Sequence, residues 1–133
     1  MAPVLRSRTL TVSIDRPPGH VYGFVSNPEN LPRWARGLCR SVRKSEGQWV
    51  VETPAGPMNI RFVGRNELGV LDHYVSPAPG QEILLPMRVV PNGSGSEVLF
   101  TLFQLPEMSD EKYAEDAGLV ERDLRTLKKI LEG

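Results

Sequence analysis

The sequence predicts an α+β chain in which a curved antiparallel sheet of about seven strands surrounds one long C-terminal helix, with two short helices after the first strand. Three observations carry this. Beyond Ser109, apolar residues recur at helical spacing in a single stripe. Between Arg40 and Leu105, alternating runs are separated by short Gly- and Pro-containing turns, which suit an antiparallel meander. Ahead of these, one alternating run gives way to helical segments broken by proline.

Thr9 to Asp15 reads as the first strand, because Leu10, Val12 and Ile14 alternate with Thr11 and Ser13. Pro17 and Pro18 end it, and Pro18 has the fixed φ favoured at the first position of a helix. That helix runs to Ser26 and buries Val21, Phe24 and Val25. Asn27-Pro28 breaks it, and Glu29 to Ala35 forms a second helical turn carrying Leu31 and Trp34. Gln48–Thr53 then pairs with Met58–Val63 around Pro54-Ala55-Gly56-Pro57. Thr53 faces Met58, Val51 faces Ile60 and Trp49 faces Phe62, while Gln48, Glu52, Asn59 and Arg61 point to solvent. After a turn near Asn66 to Gly69 comes the strand Val70–Val75. An even-length loop sets His73 opposite Phe62 on the apolar face; an odd loop or a bulge turns it outward.

Pro77-Ala78-Pro79-Gly80 ends that strand, and Ile83–Val90 pairs with Glu97–Leu105 across Asn92-Gly93-Ser94-Gly95. Ile83, Leu85, Met87 and Val89 share an apolar face with Val98, Phe100 and Leu102. In the last helix Tyr113, Ala117, Val120, Leu124, Leu127 and Leu131 make the stripe. Ser109 suits the N-cap, Asp110 and Glu111 the positive helix start, and Lys128 and Lys129 its end. Gly118 costs about 1 kcal/mol relative to alanine mid-helix, and marks either a kink or a close approach to the backbone.

The 133 residues, 40% hydrophobic and 24% charged, fit one globular domain over 1–133. Met1 to Thr11 holds Arg6 and Arg8 without the apolar stretch of a secretory leader. No apolar run approaches the ~20 residues of a membrane helix. The single cysteine, Cys39, excludes an internal disulfide and fits a reducing, cytoplasmic setting. As a nucleophile it would have only His20 and His73 as histidine bases, so an inert thiol is the simpler reading. The zero formal charge conceals a division, with ten Lys/Arg against four Asp/Glu over residues 1–66 and six against twelve over 67–133. The basic side peaks at Arg33, Arg36, Arg40, Arg43 and Lys44. It reads as a solvated rim rather than a nucleic-acid interface, because the whole chain has no positive excess. Two histidines in separate elements and no cysteine pair argue against a metal site. No phosphate loop, dinucleotide fingerprint or nucleophile elbow is present, and no cofactor is expected.

The order of strand, two short helices, further strands and long amphipathic helix resembles the helix-grip fold of the START-like (SRPBCC) superfamily. Ser26-Asn27-Pro28-Glu29-Asn30-Leu31-Pro32-Arg33-Trp34 resembles the asparagine/proline–leucine–proline–x–tryptophan segment these proteins carry after the first helix. Val4–Tyr22 is similar to their first strand, proline break and helix, and Asp116–Leu131 to their final helix. The likeness covers nearly the whole chain and is closest to the polyketide cyclase/dehydrase-like branch. It implies a deep cavity between the sheet and the last helix, which relatives use for lipids, polyketides, hormones or aromatic metabolites. Some such relatives are cyclases or dehydratases and others only bind or transfer. No catalytic set carries over position by position.

The expected function is therefore binding of a small hydrophobic or aromatic metabolite, lipid- or polyketide-like. Candidate ligand contacts are Tyr22, Trp34, Trp49, Met58, Phe62, His73, Met87, Phe100 and Tyr113, with Gln104 as an amide at the pocket's edge. The same set would suit a plain core; buried tyrosine and tryptophan, which need polar partners, weigh toward a pocket. Asp72-His73 is the one dyad, but neighbours on a regular strand point to opposite faces, so Asp72 does not orient His73. His73 is more often structural, and otherwise a lone acid–base group or a hydrogen-bond partner for a ligand carbonyl. Two alternatives stand beside the binder. One is a cyclase or dehydratase using His73 or a tyrosine; the other is an interaction module resembling the helix-grip activator of a heat-shock ATPase. Expected partners are a small hydrophobic ligand and, compatibly, a second copy of the chain, but neither nucleic acid nor an integral membrane association.

Overall fold

The computed structural model describes residues 3–133; Met1 and Ala2, part of the expected 1–133 domain and of the Met1–Thr11 reading, lie outside the described residues. Strand β1 (Ser7–Ile14) leads into α1 (Pro18–Val25), a 3-10 turn (Pro28–Asn30) and α2 (Leu31–Trp34). Seven strands follow in turn: β2 (Ser41–Ser45), β3 (Gln48–Thr53), β4 (Gly56–Phe62), β5 (His73–Ala78), β6 (Gln81–Leu85), β7 (Met87–Asn92) and β8 (Gly95–Phe103). Helix α3 (Asp110–Glu132) closes the chain.

The strands form two antiparallel sheets, ordered β1-β8-β7 and β2-β3-β4-β5-β6. The expected continuous strand Ile83–Val90 is therefore two strands in different sheets. Pro86 causes the break, because it has no N–H to give a ladder. Gln81–Leu85 pairs with β5 and Met87–Asn92 with β8. The Pro86 carbonyl still accepts from Thr101 N at 2.9 Å, so the chain stays pinned while it changes sheet.

The β3–β4 hairpin pairs Trp49 with Ile60, Val51 with Met58 and Thr53 with Gly56, a tighter register than expected. Its turn is Pro54-Ala55. Thr53 Oγ1 donates to Gly56 O at 2.7 Å and accepts from Ala55 N at 3.1 Å. Gly56 takes a φ of 110°, which only glycine adopts cheaply. A shift by an even number leaves every side chain on its expected face. Phe62 pairs with His73 as expected, but β5 begins there and runs through Pro77, which a bulge between Val75 and Ala78 accommodates. Residues 69–71 cross to β7 instead. Leu71 N donates to Met87 O at 2.8 Å, and Val89 N to Gly69 O at 2.9 Å. Any Cβ at Gly69 would collide with Val89 O, so glycine permits this seam between the sheets.

Ser109 caps α3, its Oγ accepting from Lys112 N at 3.1 Å. Tyr113, Ala117, Leu124, Leu127 and Leu131 are buried, with Val120 partly so. The helix packs chiefly on β1 and touches α2. α3 runs unbroken through Gly118, and no close approach explains it, since a Cβ there would meet nothing within 4 Å. Phe24, expected in the core, is half-buried beneath the Arg33 guanidinium, 5.1 Å from its ring centre.

Candidate functional site

Cross-strand pairing puts Val42, Trp49, Val51, Met58, Ile60, Phe62, His73, Val75, Ile83 and Leu85 on one face of the five-stranded sheet. Val51, Ile60, His73 and Val75 are buried. Val42, Trp49, Met58, Phe62, Ile83 and Leu85 are only partly covered. An apolar face left half-covered is the usual wall of a ligand site.

Three depressions adjoin it. A cleft of about 970 Å³ runs along β3, β4 and β5, where Trp49, Ile60 and Phe62 line it together with Asn59, Arg61 and Tyr74, and it reaches Ser26 and Pro28. A groove of about 550 Å³ lies between Glu29, Pro32, Trp49 and the basic stretch Arg40–Lys44; Lys44 Nζ sits 5.6 Å over the Trp49 ring. A cavity of about 110 Å³ lies between Tyr22, Ser26, Phe62, Val63, Arg65, Val70 and Leu71. None of these three is lined by α3, where the cavity was expected.

The ten predicted contacts do not converge on one space. Phe62 lines the cleft and the small cavity, Trp49 the cleft and the groove, and Tyr22 the small cavity. Met58 shares their face. Trp34, Met87, Phe100 and Tyr113 are buried in the packed core. Gln104 does not offer a free amide: its Nε2 donates to Met108 O and Asp110 Oδ1, both at 2.9 Å, tying the loop ahead of α3. Both buried tyrosines find partners inside the protein. Tyr113 donates to Leu102 O at 2.9 Å, and Tyr22 Oη accepts from Asn66 N at 3.0 Å. Trp34 Nε1 is the buried side-chain polar atom left without a partner among the described residues.

His73 is 2% exposed and is the cross-strand neighbour of Phe62, with ring centres 4.8 Å apart; Phe100 meets it edge-on at 5.8 Å. Burial lowers its pKa, with the Leu71 carbonyl and the Asp72 charge opposing. Its Nδ1 bonds to Leu71 O at 3.0 Å. Asp72 is turned away, accepting from Met87 N at 2.9 Å and from Arg88 Nε and Nη2 at 3.1 Å. Burial pushes that carboxyl up, but the Arg88 and Met87 hydrogen bonds outweigh it and hold the pKa below the usual range.

A second buried acid escaped the sequence reading. Asp123 of α3 is 6% exposed, and its two oxygens accept from Gly37 N at 3.0 and 3.2 Å. Burial pushes its pKa up to about 6. The signal was present, since Asp123 falls three residues after Val120 and four before Leu127, within the apolar stripe. Burial, then the Asp123 charge, raises Cys39 to about 11, so this thiol keeps its proton at neutral pH. Among the described residues, no group of three or more His, Cys, Asp or Glu could hold a metal ion, and no helix is long and apolar enough to cross a membrane.

No family model and no curated protein gives a significant match to the sequence. Solved structures do. XoxI from Bacillus cereus superposes with a TM-score of 0.76 at 21% identity, covering 96% of each chain. The Aha1 dimer from Colwellia psychrerythraea gives 0.75 at 13%, covering 96% of this chain and 97% of that one. A START superfamily protein from Mycobacterium smegmatis gives 0.68 at 14%, covering 95% and 97%. Identities this low establish architecture, and the class they define is the α+β helix-grip proteins. Within it, the chain has the fold of the START-like (SRPBCC) superfamily.

Proposed function

We propose that this chain is a cytoplasmic binding protein for a small hydrophobic or aromatic molecule, held against the apolar face of β2–β6 by Trp49, Met58 and Phe62. One observation carries the reading. That face is largely apolar yet remains half-covered, and its Trp49, Ile60 and Phe62 border the cleft of about 970 Å³, whose polar lining, Asn59, Arg61 and Tyr74 among it, comes from the opposite face of the sheet. The ligand space lies toward α1 rather than beneath α3. Lipid- and polyketide-like molecules both suit an apolar wall of this kind. The alternative of a cyclase or dehydratase needs a group that moves a proton at the cleft: Tyr74 lines it, whereas His73 does not.

Native mass spectrometry of freshly purified protein is the test. The expected result is a small molecule released on activation, with an apolar dye bound after its removal and displaced by it. Bare protein that also fails to bind the dye would overturn the reading. The same spectrum reports whether two copies associate.

A further inference from the structure

The loop between β4 and β5 is built around one side chain. Asn66 Oδ1 accepts from Leu68 N and Val70 N, both at 3.0 Å, while its Nδ2 donates to Gly64 O at 3.1 Å and to Val70 O at 3.0 Å. The Asn66 backbone N donates to Tyr22 Oη at 3.0 Å, which ties the loop to α1. These bonds fix the backbone on both sides of Arg65. Its guanidinium sits 5.5 Å from the centre of the Tyr22 ring, and both residues line the 110 Å³ cavity.

That cavity has donors and no anion to take them. No carboxylate lies within ion-pair distance of Arg65 among the described residues, whereas Arg61, on the neighbouring cleft, is already paired with Glu82 at 3.0 Å. The Tyr22 hydroxyl accepts from Asn66 N, so its own hydrogen is left to donate, and it has no acceptor among the described residues. A guanidinium fork beside a free phenolic donor complements a planar carboxylate. The other walls, Phe62, Val63, Val70 and Leu71, are apolar and suit carbon. Size limits what enters. At about 30 Å³ per water, 110 Å³ holds roughly three or four waters, the room of a head group rather than of a whole ligand. The cavity and the 970 Å³ cleft both reach Ser26 and Phe62, so the rest of such a molecule has the adjoining surface of Trp49, Ile60 and Phe62 to lie on.

We propose that this cavity is an anion subsite, and that the molecule bound on this face is an apolar monocarboxylic acid whose carboxylate is held by Arg65 and the Tyr22 hydroxyl. This rests on the binding reading above and narrows it to a ligand class. The test titrates the wild-type protein at pH 7 and low salt with three probes that share one apolar body: 2-naphthoate, 2-naphthamide and 2-naphthyl phosphate. Naphthoate should bind about ten- to a hundredfold more tightly than naphthamide, as charge-assisted hydrogen bonds provide, and the margin should shrink as salt is added. The side-chain Nε–Hε resonance of Arg65 should move with naphthoate and stay with naphthamide. Arg65→Gln alters an exposed side chain; it should remove the preference for naphthoate and leave naphthamide affinity unchanged. Equal binding of naphthoate and naphthamide overturns the subsite and leaves hydrophobic binding standing. So does a preference that survives in Arg65→Gln, because selection would then lie with another cation. Tighter binding of the phosphate than of naphthoate overturns the carboxylate assignment. No binding of any probe overturns both the subsite and the binding reading.

Discussion

The two sheets are woven from the same alternating pattern and meet opposite fates. In the three-stranded sheet Leu10, Ile14, Met87, Val89, Val98, Phe100 and Leu102 are all buried. In the five-stranded sheet six of the inward side chains stay partly exposed. Hydrophobicity does not separate them; α3 does, by docking on β1 and leaving β2–β6 without a helix of comparable length. An apolar strand face is core where something long enough covers it, and a candidate site where nothing does.

The closed half should fail first. Leu124→Asp places a charge where α3 meets the sheet, and loss of cooperative unfolding is expected. Arg125→Asp, one residue on, removes only an exposed pair with Glu121 at 3.4 Å and should cost under about 1 kcal/mol. Similar melting temperatures for the two would mean α3 does not close that half as described. Next in size is the contrast between Met87→Ala and Phe62→Ala. Met87 is fully buried, and its truncation should cost about 2–5 kcal/mol. Phe62 already borders open space, so its loss should cost clearly less while changing the affinity of an apolar probe. Core-sized losses at both sites, with no probe bound by the wild type, would erase the distinction between the halves.

Much of this division was legible in residue order, but not the part that decides function. Beyond periodicity, the Phe62–His73 pairing needed the parity of the loop before it, which residue order left open; the α3 stripe follows from local periodicity. The break at Pro86 did not, because Leu85 and Met87 keep the same parity across it and an unbroken alternation reads as one strand. The β3–β4 turn slipped because Pro54 and Gly56 are both turn formers, and only the Thr53 hydroxyl contacts pick Pro54-Ala55. Trp49, Phe62 and Tyr22 were on the candidate list beside Trp34, Met87 and Phe100. Local pattern could not sort lining from core, since exposure on β2–β6 depends on where α3 docks in three dimensions.

The buried carboxyl of the closed half gives the smallest and sharpest test. Asp123 holds α3 to the loop after α2 through Gly37 N, so it reports on that docking directly. Its folded pKa, about 6, stands above the ordinary 3.8, because burial penalises the carboxylate more than the Gly37 bond favours it. The folded state therefore holds this proton more tightly than the unfolded chain. Its contribution is complete below pH 4, declines as pH rises toward 6, and is gone above that. Asp123→Asn keeps an oxygen for Gly37 N and removes the charge. At pH 7 the variant should be more stable than wild type by about 1–3 kcal/mol, and the gap should close as pH falls toward 4. Chemical denaturation of both proteins across pH 4–8 measures it. A gap that does not vary with pH would mean the Asp123 carboxylate is solvated, and that α3 seals its sheet less completely than its apolar stripe implies.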